Sequence, residues 1–218
     1  MQEVKGRSRN ASNAEKVLPT GKDLGGASNL FGLVLCGGQS IRMGSDKGLI
    51  LKDGIPWSRI VAGQIEKLNI PVYISVNPSQ AISYQSIFPQ EKLIIDTVEK
   101  QGPLTGLLSA NKTFPDKDFL LVACDMINIK QEIFFVLITE YLNNANFDFF
   151  AFDNAGTIEP LCAVYTGKAI SEIFNTPASG LKYGGSLRRI LEAGNTKRLT
   201  PVNKSSFKNY NRKSDVKS

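Results

Sequence analysis

Gly37, Gly38, Arg42 and Lys47 are the first residues of the chain whose types and spacing suit a chemical task. They follow a short apolar run at 31–36. Residues without side chains accept positive φ and let a ligand approach the backbone, and successive N–H groups then form a concavity that suits phosphate oxygens. Arg42 and Lys47 add two permanent positive charges, so a polyphosphate is the matching guest. A double glycine also serves as a plain tight turn between a strand and a helix. Five residues separate Gly38 from Gly44 and Lys47 does not directly follow the second glycine, so the P-loop spacing is absent, as is GxGxxG.

Three further polar residues close apolar runs in the same manner: Asn77 after 72–76, Asp96 after 92–95 and Asp125 after 119–124. A carboxylate at the end of such a run is costly to bury unless it is paired or ligated, and a divalent cation offsets that cost. The alternative for each aspartate is a cap on the following helix or turn. The chain has no histidine, which removes Ser-His-Asp and Cys-His catalysis and histidine-ligated zinc. Its chemistry must use carboxylates, amines, amides or a bound metal.

These residues need elements to place them. The runs at 31–36, 72–77, 92–96 and 119–125 read as strands. Between them, 56–68 and 102–112 carry helical patterns, 79–88 is a weak helix or loop, and 132–143 is a helix. Alternation of this kind predicts an α/β fold: a doubly wound, mostly parallel sheet with helices on both faces. Ligands bind such a sheet beyond the carboxyl ends of its strands, where the glycine pair, Asn77, Asp96 and Asp125 all fall. Later, 147–152 and 159–165 form a β-hairpin about a turn at 154–156. Short helices at 168–174 and 187–191 and a last strand at 198–202 follow, with 179–186 as a connector. Arg188 and Arg189 read as a solvated helix face, with a grip on an anionic acceptor as the lesser alternative.

A chain of 218 residues suffices for one domain with a sizeable core. Its net charge of +6 lies in the tails: five Lys or Arg against three acids in 1–30, and five against one in 203–218. The segment between is formally neutral, so a nucleic-acid face has little support. Residues 1–30 read as a disordered extension, 31–211 as the domain and 212–218 as a basic tail. No apolar run approaches the ~20 residues that cross a bilayer, and the N-terminus lacks the apolar core of a signal peptide, so a cytoplasmic location is expected. Cys36, Cys124 and Cys162 fall inside apolar runs without CxxC spacing and read as buried, reduced thiols.

The string Leu35-Cys-Gly-Gly-Gln-Ser-Ile-Arg-Met-Gly-Ser-Asp-Lys-Gly-Leu49 resembles the LxGGxSxRMGxDKxL signature of the nucleotidyltransferases that attach a nucleotide to molybdopterin, and most resembles the molybdenum cofactor guanylyltransferases. The resemblance runs in order over 31–211. It implies backbone contacts to the nucleotide at Leu35, Cys36 and Gly37, with Gly38 beside them, and a phosphate contact at Lys47. Asn77 and Asp96 match further nucleotide contacts. Asp125 matches the aspartate that holds Mg2+ with the nucleotide, and Gly102, Pro103 and Leu104 open the family's GPLxG segment. Glu159-Pro-Leu-Cys-Ala-Val-Tyr165 is similar to a segment near the acceptor, and Phe207-Lys-Asn-Tyr-Asn211 to an FxNxN element. Two positions depart from the pattern: Ile127 stands where the family usually has proline, and Arg212-Lys-Ser-Asp215 replaces Thr-Pro-Glu-Asp.

The resemblance implies GTP and molybdenum-molybdopterin as substrates, Mg2+ as cofactor, and molybdopterin-delivering proteins and molybdoenzyme chaperones as partners. The acceptor's terminal phosphate would attack the α-phosphorus of GTP in line, with Lys47, Arg42 and Asp125 as the catalytic groups. A cytidylyltransferase acting on the same pterin, a sugar-phosphate nucleotidylyltransferase and a non-catalytic nucleotide- or pterin-binding protein share the signature or the fold, and stay open at this point.

Overall fold

The computed structural model describes residues 27–37, 46–97, 102–175 and 185–201. Gly38, Arg42 and the 207–211 element lie outside the described residues, as does most of the 179–186 connector.

The first strand, β1 (Leu30–Leu35), alternates between two apolar environments. Leu30, Val34 and Cys36 enter one buried cluster, while Leu33 and Leu35 enter the other. A strand covered on both faces belongs at the centre of a sheet. β1 accordingly pairs in parallel with β4 (Val72–Val76) on one side and β6 (Asp118–Ala123) on the other. With β5 (Leu93–Ile95), β7 (Phe149–Asn154), β8 (Thr157–Tyr165) and β9 (Thr196–Leu199), the order is β5-β4-β1-β6-β8-β7-β9. β8 runs antiparallel to both its neighbours, whereas β9 joins β7 in parallel. The sheet is thus mostly parallel and carries the expected hairpin. Its turn, Ala155 and Gly156, has positive φ at both residues (53° and 84°), the geometry that matches the twist of paired strands.

Helices cover both faces. α1 (Trp57–Glu66) presents Trp57, Val61, Ala62 and Ile65 to the first cluster, together with α2 (Ala81–Gln85) and α4 (Gln131–Asn143). α3 (Pro103–Thr113), α5 (Gly167–Asn175) and α6 (Leu187–Ala193) build the second. The folded region reaches back before residue 31: Leu30 opens β1, Ala27 is buried and Asn29 bonds to Asp118. A two-stranded hairpin of β2 (Leu51–Lys52) and β3 (Ile55–Pro56) was not expected. Its signal was present, since Asp53-Gly54 is a strong short-range hairpin pair, here with φ of 52° and 77°. All three cysteines are free and buried. Among the described residues no helix is long and apolar enough to cross a membrane.

Close contact between α3 and the sheet depends on a missing side chain. A Cβ at Gly106 would lie 2.2 Å from Ser75 Oγ and 2.8 Å from Leu35 Cδ2. Gly106→Ala therefore lowers stability by a net of up to about 2 kcal/mol in urea denaturation, because overpacking costs about 1–3 kcal/mol against the roughly 1 kcal/mol that alanine gains over glycine in a helix. Unchanged or increased stability would show that this contact yields without cost.

Candidate active site

Parallel pairing puts the ends of β1 and β6 side by side, with Leu35 opposite Ala123 and the Cys124 N–H donating to the Leu35 carbonyl at 3.1 Å. The chain turns immediately afterwards, where Met126 N–H donates to the Ala123 carbonyl, and this turn presents Asp125 at the carboxyl rim. Lys47 comes from a short 3-10 turn, Lys47–Leu49, capped by Asp46. Its Nζ lies 2.9 Å from Asp125 Oδ2, bringing together two groups that are 78 residues apart in the chain. Asp125 is mostly buried, and among the described residues its Oδ1 has no hydrogen-bond partner. Leaving a buried acceptor unpartnered costs about 1–3 kcal/mol, and more for a charged group, a cost that a bound cation would offset. The donor set also fits Mg2+, which is commonly held by one or two carboxylates with the balance from substrate phosphates and water. Among the described residues no group of three or more His, Cys, Asp or Glu side chains could hold a metal alone.

Asp96 stands at the end of β5, where its N–H donates to the Val76 carbonyl at 2.9 Å. Its Oδ1 accepts from Ser75 Oγ at 3.1 Å, and a Cβ added to Gly37 would come within 3.0 Å of its Oδ2. Gly37 and Asp96 are therefore brought together, and glycine at 37 makes room for the carboxylate. Burial pushes the Asp96 carboxyl up to about 6, with the Ser75 hydroxyl acting in the opposite direction.

Asn77 has a capping role. Its Oδ1 accepts from Gln80 N–H at 3.1 Å and from Ser79 Oγ at 2.6 Å, while its own N–H donates to Gln80 Oε1 at 2.9 Å. This is the reciprocal arrangement of a capping box, readable in the Asn-x-x-Gln spacing. The Gln80 amide also reaches Asp46 and the Cys36 carbonyl, and Tyr84 Oη donates to Asp46. Burial above all, then the nearby Cys36, Cys124 and Asp46, push the Tyr84 hydroxyl far up. Sequence reasoning missed Asp46, Gln80, Tyr84 and Ser75 as parts of the site.

Gly102, at φ 85°, caps α3, and Pro103 occupies its first turn, so a helix N-terminus is presented there. The Leu104 side chain is buried in the core with Leu35, which leaves only main chain at that position to meet a ligand. At Leu35 and Cys36 much of the main chain is already engaged: the Leu35 carbonyl by Cys124, the Cys36 N–H by Ser75 and the Cys36 carbonyl by Gln80. Glu159, beside the rim on β8, is pushed up chiefly by burial and also by the charge of Asp125, while the Leu161 N–H and Arg188 pull the other way. Arg188 and Arg189 are exposed on α6.

Residues 32–199 match the model of the MobA-like NTP transferase domain. The chain belongs to this family. Among its relatives is the probable molybdenum cofactor guanylyltransferase of Methanothermobacter thermautotrophicus, 28% identical over 198 residues that cover 84% of this chain and 95% of that protein. The molybdenum cofactor biosynthesis bifunctional protein of a Synechocystis strain is 35% identical over 147 residues, 65% of this chain but only 40% of that longer protein. In fold, the chain is similar to the crystal structure of molybdopterin-guanine dinucleotide biosynthesis protein A from Archaeoglobus fulgidus, with a TM-score of 0.69 at 23% identity, covering 85% of this chain and 94% of that one. As a MobA-like NTP transferase the chain is a nucleotidyltransferase.

Asp96 gives this rim a pH dependence. A carboxyl raised from its ordinary 3.8 to about 6 binds its proton more tightly folded than unfolded, so its contribution to stability is complete below about 3.8 and is lost as pH rises through about 6. Asp96→Asn, which stays uncharged, is therefore expected to raise the melting temperature more at pH 7.5 than at pH 4. Equal offsets at the two pH values would show that the carboxyl titrates normally.

Proposed function

We propose that this MobA-like transferase moves GMP from GTP to the terminal phosphate of molybdenum-molybdopterin, releasing pyrophosphate and forming molybdopterin guanine dinucleotide. The observation that carries this is the Lys47–Asp125 pair at 2.9 Å, with the buried Asp125 Oδ1 beside it lacking a partner. Family membership over residues 32–199 and the name borne by the Methanothermobacter relative support the choice of substrates.

A phosphate monoester is already an anionic nucleophile at neutral pH, so the transfer needs little covalent help from the protein. The obstacle is repulsion between anions, and fixed positive charge is the remedy. Asp125 would hold Mg2+ together with the nucleotide, and the ion would supply charge neutralisation at the reacting phosphate. Lys47 neutralises Asp125, and its ammonium stands within reach of the oxygens of a triphosphate bound beside that carboxylate. Its contribution to rate comes from the charge that grows on the departing pyrophosphate, and Arg42 is assigned the same task. Gly37, Gly38 and the α3 N-terminus that opens at Gly102 offer main-chain N–H groups to phosphate, with Pro103 setting the start of the helix, while Asn77 and Asp96 border the nucleoside. Under this proposal the domain starts no later than residue 27, extends to 211, and works in the cytoplasm beside proteins that deliver molybdopterin and chaperone molybdoenzymes.

Pyrophosphate release from GTP with Mg2+ and molybdenum-loaded molybdopterin tests the proposal directly. Lys47→Ala and Asp125→Ala are each expected to lower turnover by at least ~100-fold, the scale for losing one electrostatic stabiliser. Near-normal turnover in either variant removes that role. In parallel titrations GTP is expected to bind better than CTP or UTP, and a preference for CTP would move the assignment to a cytidylyltransferase.

A further inference from the structure

We infer that Gln80 is a positioning residue, clamping Asp46 and through it the backbone of Lys47 against the end of β1. The Gln80 Nε2 donates to Asp46 Oδ2 at 2.5 Å and to the Cys36 carbonyl at 3.1 Å, while its Oε1 accepts from Asn77 N–H at 2.9 Å. One carboxamide thus joins the ends of β1 and β4 to the residue preceding Lys47, and bridges both flanks of the 38–45 segment. Two acceptors at its amino end and a donor at its oxygen end allow a single orientation. Glutamate would set a second acceptor against Asp46 and Cys36, and alanine would leave all three groups without this partner.

The rest of the clamp closes on Asp46 from the other side. Its Oδ1 accepts from Gly48 N–H at 2.9 Å and from Tyr84 Oη at 2.8 Å. These bonds occupy Asp46 inside the protein, so it serves as an anchor. The chain passes the Tyr84 ring so closely that a Cβ at position 48 would lie 2.0 Å from Tyr84 Oη. Ser58 Oγ, on α1, holds the Gly48 carbonyl at 2.8 Å. Lys47 therefore extends from a backbone fixed at Asp46 and Gly48, and its ammonium can be placed at Asp125 with little freedom to wander. Misplacement of a reacting group by about 1 Å can cost ~100-fold in rate, which is the benefit such a clamp secures.

This inference rests on the reading of Lys47 as the residue that meets the triphosphate, and a double-mutant cycle tests it. GTP-dependent pyrophosphate release is measured for the full chain carrying Gln80→Ala, Gln80→Glu or Tyr84→Phe, each alone and combined with Lys47→Ala. The Gln80 variants are expected to lose about 10- to 100-fold in kcat, with Gln80→Glu no better than Gln80→Ala despite its matching length. Once Lys47 is alanine, the same changes should cost less than about twofold, because their effect runs through the missing ammonium. Tyr84→Phe keeps the buried ring and answers the question if the Gln80 variants fail to fold. Losses that multiply undiminished in the Lys47→Ala background, or full activity in Gln80→Glu, overturn the inference.

A ligand-free measurement separates this inference from the substrate assignment. In carbon-13 dimethyl-lysine NMR spectra, the Lys47 signal, identified by its loss in Lys47→Ala, is expected to move toward the exposed lysines in Gln80→Ala. Movement in a chain that shows no turnover of GTP leaves the clamp standing and removes the substrate assignment. A Lys47 signal unchanged in Gln80→Ala and in Tyr84→Phe overturns the clamp whatever the turnover.

Discussion

A negative charge held mostly out of water at the end of a central strand is the constraint to which the rest of this rim answers. Asp125 retains one oxygen beside Lys47 and leaves the other buried without a partner among the described residues. Removing one member of a buried ion pair typically costs about 3–5 kcal/mol, so the sheet must deliver the ammonium reliably. It does so by register. Leu35 pairs with Ala123, and the two strands finish together, one turning into Asp125 and the other leading toward the 3-10 turn of Lys47. Asp46, Gly48 and Ser58 then settle where that turn lies.

Polar groups at this rim fall into two kinds. Asn77 and Asp46 are occupied by hydrogen bonds within the protein and shape the backbone around them. Asp125 is buried and Asp96 half-buried, each carboxylate with fewer partners, which leaves something for a ligand to recover. Ser75 links the two kinds, since its hydroxyl steadies Asp96 while its position depends on the bare backbone of Gly106. Helix packing on one face of the sheet is thereby coupled to the placement of a carboxylate at its edge.

Much of the fold was legible in the chain because it depends on local periodicity. The apolar runs that end at Asn77, Asp96 and Asp125 became β4, β5 and β6, and the rule that ligands gather beyond the carboxyl ends of such strands identified the rim. Lys47 and Asp125 could be read only as members of one rim; their direct ion pair could not, since no local pattern tells which strand ends adjoin. The Gln80 clamp was harder to read: its partners lie 34 and 44 residues away, and a glutamine near a turn looks like any solvated amide. Half of its role, the reciprocal bonds with Asn77, was written in their spacing. Leu104 shows what a motif leaves unsaid: its side chain packs into the core, so the position can meet a ligand through main chain alone.

The reversed direction of β8 divides the rim into two differently built halves. On the β1 side, functional groups hang from the ends of parallel strands and are locked by helix packing and register. On the β8 side, Glu159 comes from the beginning of a strand, just after the tight turn at Ala155 and Gly156. Loops of that sort tolerate insertion and exchange far better than paired strands do. Such a scaffold separates a flank whose turn can be exchanged from a flank, the one proposed to handle phosphate, whose geometry is tied to the core.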